Sequence, residues 1–235
     1  GAKRDHDTFC ISCHTVLPYA LGRSSLRTTL HESVPSMEES AMLANITKRV
    51  RLWNEVEPFY PDSTRGAGKT LESRGTEAVL NALALVSNQP ASEDTILALN
   101  NMLSLQLSSG EDAGSWPWLQ FHNAPWEGDS QFLGATLAAL ALGRAPAAWR
   151  AGAVPVAALK SLRTYLQSHR ESQTLMDRLF LVWADQGLSG LVPPTARQAI
   201  LDEAVSLQEP DGGFSLSRFI GNWKRRDKTQ IGRAS

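Results

Sequence analysis

The residues best suited to chemistry lie together near the start of the chain, in Thr8-Phe9-Cys10-Ile11-Ser12-Cys13-His14-Thr15, which holds both cysteines of the 235-residue sequence. Cys10-Ile-Ser-Cys13-His14 has the C-x-x-C-H spacing of a covalent haem site. Two thiols three residues apart can each bond one vinyl group of a single porphyrin, and the adjacent imidazole of His14 then reaches the iron. Three other uses compete. A zinc site needs further ligands, and His6 and His31 are near, but no second C-x-x-C or H-x-x-x-H accompanies the pair. A redox dithiol belongs at a helix start after a strand, a context missing here. Chance placement at an N-terminus is the third. The spacing favours haem, with zinc as the alternative cofactor.

If haem is bound, the sixth iron ligand is open. Met37, Met42 and His31 are close in sequence, while Met102, Met176, His122 and His169 are available only through folding. Methionine on an apolar helical stripe is ordinarily core packing. An empty sixth position would imply ligand binding rather than simple electron transfer. Thr15 after the histidine, and Pro18 beyond it, are similar to cytochrome c, where a downstream proline carbonyl orients the proximal imidazole.

The elements that must position this motif are helical. Residues 1–35 are polar and broken by Pro18, Gly22 and Pro35, and read as an irregular haem-attachment segment. Ser36 and Glu39 then have capping-box spacing. Met42, Leu43, Ile46, Val50 and Trp53 recur at helical intervals, predicting a helix over 37–56. Beyond a loop at 58–69, three apolar, small-residue helices (76–87, 130–143, 172–185) each precede a more amphipathic one (95–106, 158–167, 196–208). All three second helices finish on Leu-Gln, at Gln106, Gln167 and Gln208. With no sustained period-two alternation, the fold class is all-α, an array of hairpins with the apolar helices inside.

Two of those glutamines open a recurring turn. Gln106 is followed by Gly114 and Trp116, and Gln208 by Gly212 and Phe214. This resembles the QW motif of the squalene–hopene cyclase and oxidosqualene cyclase superfamily, over roughly residues 70–216. The resemblance implies an α/α-toroid over 36–235, incomplete at its C-terminal end because about a dozen helices close such a ring. The whole chain is similar to bacterial squalene-cyclase-like (prenyltransferase/squalene oxidase repeat) proteins that carry a CxSCHT-type motif ahead of the toroid. It also implies an apolar isoprenoid or polycyclic ligand, with Trp53, Phe59, Tyr60, Trp116, Trp118, Trp126 and Trp183 as cavity-wall candidates and Glu77 as the acid to test. The activity does not carry over on these residues. No DxDD or DDxxD segment is present, and no cysteine lies within the toroid to hold a prenyltransferase zinc.

Composition sets the remaining limits. A formal charge of −1 gives no overall attraction to nucleic acid, and the basic run at 223–233 reads as a solvated tail. No stretch approaches the ~20 apolar residues of a membrane span. "STRGAGKT" at 63–70 lacks the first glycine of a phosphate loop. The chain opens on glycine and so reads as a processed fragment. Haem attachment occurs outside the bacterial cytoplasm, so the haem reading implies a periplasmic or exported protein with a redox partner protein. The competing function is a haem-independent toroid, acting as a non-classical cyclase or transferase or as a binding scaffold.

Overall fold

The computed structural model describes residues 5–121 and 130–220. It is mostly helical, 64% of the described residues, with no strand among them. The helices are α1 (Val16–Thr29), α2 (Met37–Arg51), α3 (Asp62–Arg65), α4 (Lys69–Asn88), α5 (Glu93–Leu103), α6 (Ser130–Arg144), α7 (Ala147–Arg150), α8 (Ala153–His169), α9 (Leu175–Gly187), α10 (Pro194–Ser206) and α11 (Leu216–Phe219).

Two layers follow from the packing. The apolar helices α4, α6 and α9 lie side by side in chain order, α4 against α6 and α6 against α9. The amphipathic helices α5, α8 and α10 pack on α4, α6 and α9 respectively. Burial tracks this division. In α4 every residue from Gly75 to Val86 is buried, whereas α10 buries only Ile200. An all-round apolar helix must be covered on all sides, while one with a polar face can close the edge of the core.

The N-terminal segment departs from the irregular conformation expected of it. It contains the 14-residue α1, which packs along α4, and α2 packs on α4 and α5. Ile11, Leu17 and Ala20 share one core with the hairpin array. Pro18 is tolerated because it falls in the first helical turn, where backbone N–H groups have no intrahelical partner. The Ser36–Glu39 capping box forms, with Glu39 N–H donating to Ser36 Oγ at 3.3 Å and Ser36 N–H to Glu39 Oε2 at 2.9 Å. Glu39 is also buried and ion-paired with Arg27 of α1, so one carboxylate starts α2 and ties it to α1.

Two boundaries moved for identifiable reasons. α2 ends at Arg51 rather than near 56, and the carbonyls of Trp53 and Val56 beyond it are taken by the Arg74 guanidinium. α4 begins at Lys69, seven residues before the expected 76, because its first two turns are polar yet inward-facing: Ser73, Thr76 and Glu77 are all buried. Hydropathy alone cannot mark such a start.

The Gln–Gly turns are realised. Gln106 Nε2 donates to the Gly114 carbonyl at 2.9 Å and to the Ala158 carbonyl of α8 at 3.0 Å, which staples one hairpin to the next. Gly114 has φ 99°, a value that disfavours any side chain. The Trp116 indole donates to the Met102 carbonyl at 2.6 Å and is fully buried. Gln208 repeats the contact on Gly212 at 2.7 Å (φ 84°), and Gln167 bonds the Gly190 carbonyl at 3.3 Å (φ 87°). All three Leu-Gln dipeptides therefore place a glutamine amide on a left-handed glycine.

Gly75 meets its neighbour closely: a Cβ there would overlap the Pro117 carbonyl. Gly75→Ala is expected to cost about 1–3 kcal/mol by overpacking. Thermal denaturation should show a drop of about 2–12 °C in Tm for a chain of this size, and an unchanged Tm would mean that the α4–Pro117 contact is looser than described.

Candidate functional site

The C-x-x-C-H segment is held against the body from several sides. Asp5 and Thr8 close a tight turn through two backbone bonds of 3.1 and 2.9 Å, with His6 and Asp7 at its tip in left-handed conformations. The Asn45 side chain of α2 brackets the Phe9 peptide, accepting from its N–H and donating to its carbonyl, both at 2.9 Å. Ile11 is buried in the core, and Ser12 Oγ accepts the Thr15 hydroxyl at 2.8 Å. α1 begins immediately after.

Beneath this segment lies a buried ion pair. Arg49 of α2 and Glu77 of α4 have side chains 1% and 3% exposed. Arg49 Nε donates to Glu77 Oε1, and Nη2 donates to Oε2 at 3.1 Å. The rest of the guanidinium is satisfied by Thr8 Oγ1 at 3.0 Å and the Glu57 carbonyl at 3.2 Å. Burial works against the Arg49 charge, but the hydrogen bond and charge of Glu77 outweigh it and raise its affinity for the proton. Arg74, one turn before Glu77, is half-buried, and burial lowers its pKa.

Glu77 has a second visitor. The Cys10 thiol donates to Glu77 Oε2 at 3.1 Å. Burial, reinforced by the neighbouring carboxylate, pushes that thiol up to about 12 from its ordinary 9.0. Cys13 Sγ lies 3.3 Å from Nε2 of His14, whose side chain is exposed at the head of α1.

Glu77 thus sits mid-helix, not at the helix start where dipole stabilisation would apply. Its role is to pair a cation and receive a thiol. Arg49 was missed by motif reasoning, although a signal exists: it falls between Ile46 and Val50 on the apolar stripe of α2, where a charge demands a partner. One turn beyond Glu77, Asn81 is 1% exposed and its amide makes no hydrogen bond among the described residues.

The alternative chemistries fare unequally. Among the described residues no group of three or more His, Cys, Asp or Glu is gathered as a metal site. His31 stands past the far end of α1, and fourteen helical residues span about 21 Å. A dithiol that attacks disulfides needs an acidic, accessible thiol; Cys10 is the reverse. Two thiols without a disulfide and an exposed imidazole are the groups a c-type haem site would use. The donor set fits that group, with one condition: Cys10 must turn away from Glu77 to be used.

The candidate sixth ligands are scattered. Met37 is 83% exposed, Met102 fully buried beneath Trp116, Met42 and Met176 half-buried, and His169 stacked on Tyr165 at 4.3 Å. Trp116 and Trp118 are core residues. Trp53, Tyr60 and Trp183 each already carry a cation over the ring, from Arg74, Arg65 and Arg144 at 4.9, 5.1 and 5.7 Å. Phe59 packs edge-on against Tyr60. Trp126 and His122 lie outside the described residues, as does the basic run at 223–233. A small cavity of about 120 Å³ lies between α9, α10 and the turn at Arg170–Ser172, lined by Arg170, Glu171, Arg178 and Ile200 among others. Sites for drug-sized ligands measure ~300–1,000 Å³. No helix among the described residues is long and apolar enough to cross a membrane.

No protein-family model matches the chain, and no curated protein or solved structure is significantly similar to it.

Two expectations follow from the ion pair. Arg49→Met strands the Glu77 carboxylate in the core and should cost about 3–5 kcal/mol in urea unfolding, whereas Arg49→Met/Glu77→Leu should recover much of the loss. The double variant proving no more stable than the single one would refute the pairing. Separately, the folded chain holds the Cys10 proton more tightly than the unfolded chain, whose thiol titrates near 9.0. The stability this confers is complete below about pH 9 and fades as pH climbs toward 12. The Tm difference between wild type and Cys10→Ala should therefore shrink over that range.

Proposed function

We propose that residues 8–15 are a covalent c-type haem site carried on an α/α-toroid-like array of helical hairpins, in an exported protein that exchanges electrons with a partner or senses a ligand. One observation carries this reading: two thiols and the exposed His14 imidazole share a short turn at the head of α1, and that turn is fixed to α4 by a buried ion pair. A group attached there would be held in a constant position relative to the hairpin array. Thioethers would form at Cys10 and Cys13, and His14 Nε2 would leave the Cys13 sulfur to ligate the iron. The haem would supply a redox-active iron; the chain would supply its attachment, its orientation and the exposed His14 imidazole.

Support for the toroid comes from the layered order of the helices, with α4, α6 and α9 inside and α5, α8 and α10 outside, and from the Gln–Gly contact repeated three times. The helical body then serves as a frame for the haem segment and its redox partner, in the periplasm or beyond.

The test is a pyridine haemochrome spectrum of the full chain exported together with haem-maturation factors, beside the Cys10→Ala/Cys13→Ala and His14→Ala variants. Wild type should give the α-band of haem with both vinyl groups saturated, the double variant none, and His14→Ala a strongly reduced yield. Absence of covalent haem from wild type under these conditions would overturn the reading and leave a haem-free helical scaffold.

A further inference from the structure

Glu77 touches the motif at Cys10, and the contact is built rather than incidental. The Cys10 Sγ donates its proton to Glu77 Oε2 at 3.1 Å, while Glu77 is clamped in place by two bonds from Arg49. Arg49 is in turn fixed by Thr8 and the Glu57 carbonyl. The backbone on the N-terminal side of Cys10 cannot drift, because Asn45 brackets the Phe9 peptide. Cys13 lies instead against the exposed ring of His14.

We propose that Glu77, held by Arg49, is a positioning residue that latches the Cys10 thiol inward and so slows its reaction with electrophiles approaching the motif. This rests on the haem reading only for the identity of the physiological electrophile, a porphyrin vinyl group. The latch itself is a property of the chain.

The electrostatics favour the same latch. The charged groups around Cys10 are Arg49 from α2, Glu77 and Arg74 from α4, and Asp5 from the N-terminal turn, with the Phe59 backbone contributing a hydrogen bond. Arg49 is already engaged by Glu77, so a Cys10 thiolate would face the carboxylate at hydrogen-bond distance in a half-buried site. A neutral thiol donating to that carboxylate is the stable arrangement. Release requires rotation of the Cys10 side chain, without movement of the loop. In a thioether-forming addition the S–H bond breaks, an S–C bond forms to one vinyl carbon and the hydrogen ends on the other, with no net gain or loss of electrons. The latch would delay that step at Cys10.

Iodoacetamide alkylation of the folded, haem-free full chain at pH 8, followed by peptide mapping, tests the latch directly. Thiolate population falls tenfold for each unit of raised pKa, while intrinsic nucleophilicity partly compensates, so Cys10 should react about 30-fold more slowly than a thiol of ordinary acidity. In Glu77→Gln the carboxylate charge is gone and Arg49 faces the thiol, so Cys10 alkylation should accelerate at least about tenfold. Arg49→Met/Glu77→Leu removes both charges and, should Glu77→Gln prove unfolded by circular dichroism, carries the same test: Cys10 should return toward the ordinary thiol rate. Cys10 reacting at the rate of an ordinary thiol in wild type, or an unchanged Cys10 rate in the folded variants, overturns the latch. Covalent haem absent from both cysteines while Cys10 alkylation stays slow would remove the haem reading and leave the latch standing.

Discussion

The buried Arg49–Glu77 pair is the constraint on which the rest of the site depends. It joins α2 to the central helix α4, and through Thr8 and Cys10 it fixes the N-terminal segment to both. A charge pair taken out of water is favourable only when every remaining polar atom is also satisfied. Here the guanidinium reaches Glu77, Thr8 and the Glu57 carbonyl, and the carboxylate also receives the Cys10 thiol. Loss of either partner would leave the other stranded, so the motif and the helical body are energetically one unit.

That coupling explains why a cysteine motif at the head of the chain has a defined conformation at all. Short polar segments rarely order themselves, because backbone entropy opposes it by about 1–2 kcal/mol per residue. The turn at Asp5–Thr8, the Asn45 clamp on Phe9 and the burial of Ile11 act together against that cost. Cys10 is consequently presented inward and His14 outward, an asymmetry between neighbours that a flexible tail would not maintain.

Elsewhere the same economy of polar contacts holds the hairpins in register. The glutamine that follows or closes each outer helix reaches a glycine carbonyl in a left-handed turn, and Gln106 also reaches into α8. Charged side chains cover aromatic faces at Trp53, Tyr60 and Trp183, which makes those rings structural.

The sequence alone determined the all-α class, the alternation of inner and outer helices, the Ser36–Glu39 capping box and the Gln–Gly turns. Each of these rests on short-range periodicity or on the fixed conformational demands of Gly, Ser and Gln. It also singled out Cys10, Cys13 and His14, because their adjacency is itself the signal. Tertiary structure decided the rest. α1 was hidden by Pro18 and Gly22, and the start of α4 by the polar residues Ser73, Thr76 and Glu77, whose burial depends on partners far away in sequence. Cys10 and Glu77 are 67 positions apart and Arg49 and Glu77 are 28. No local pattern links them, since the link exists only when α2 and α4 pack with their polar side chains facing each other beneath the motif.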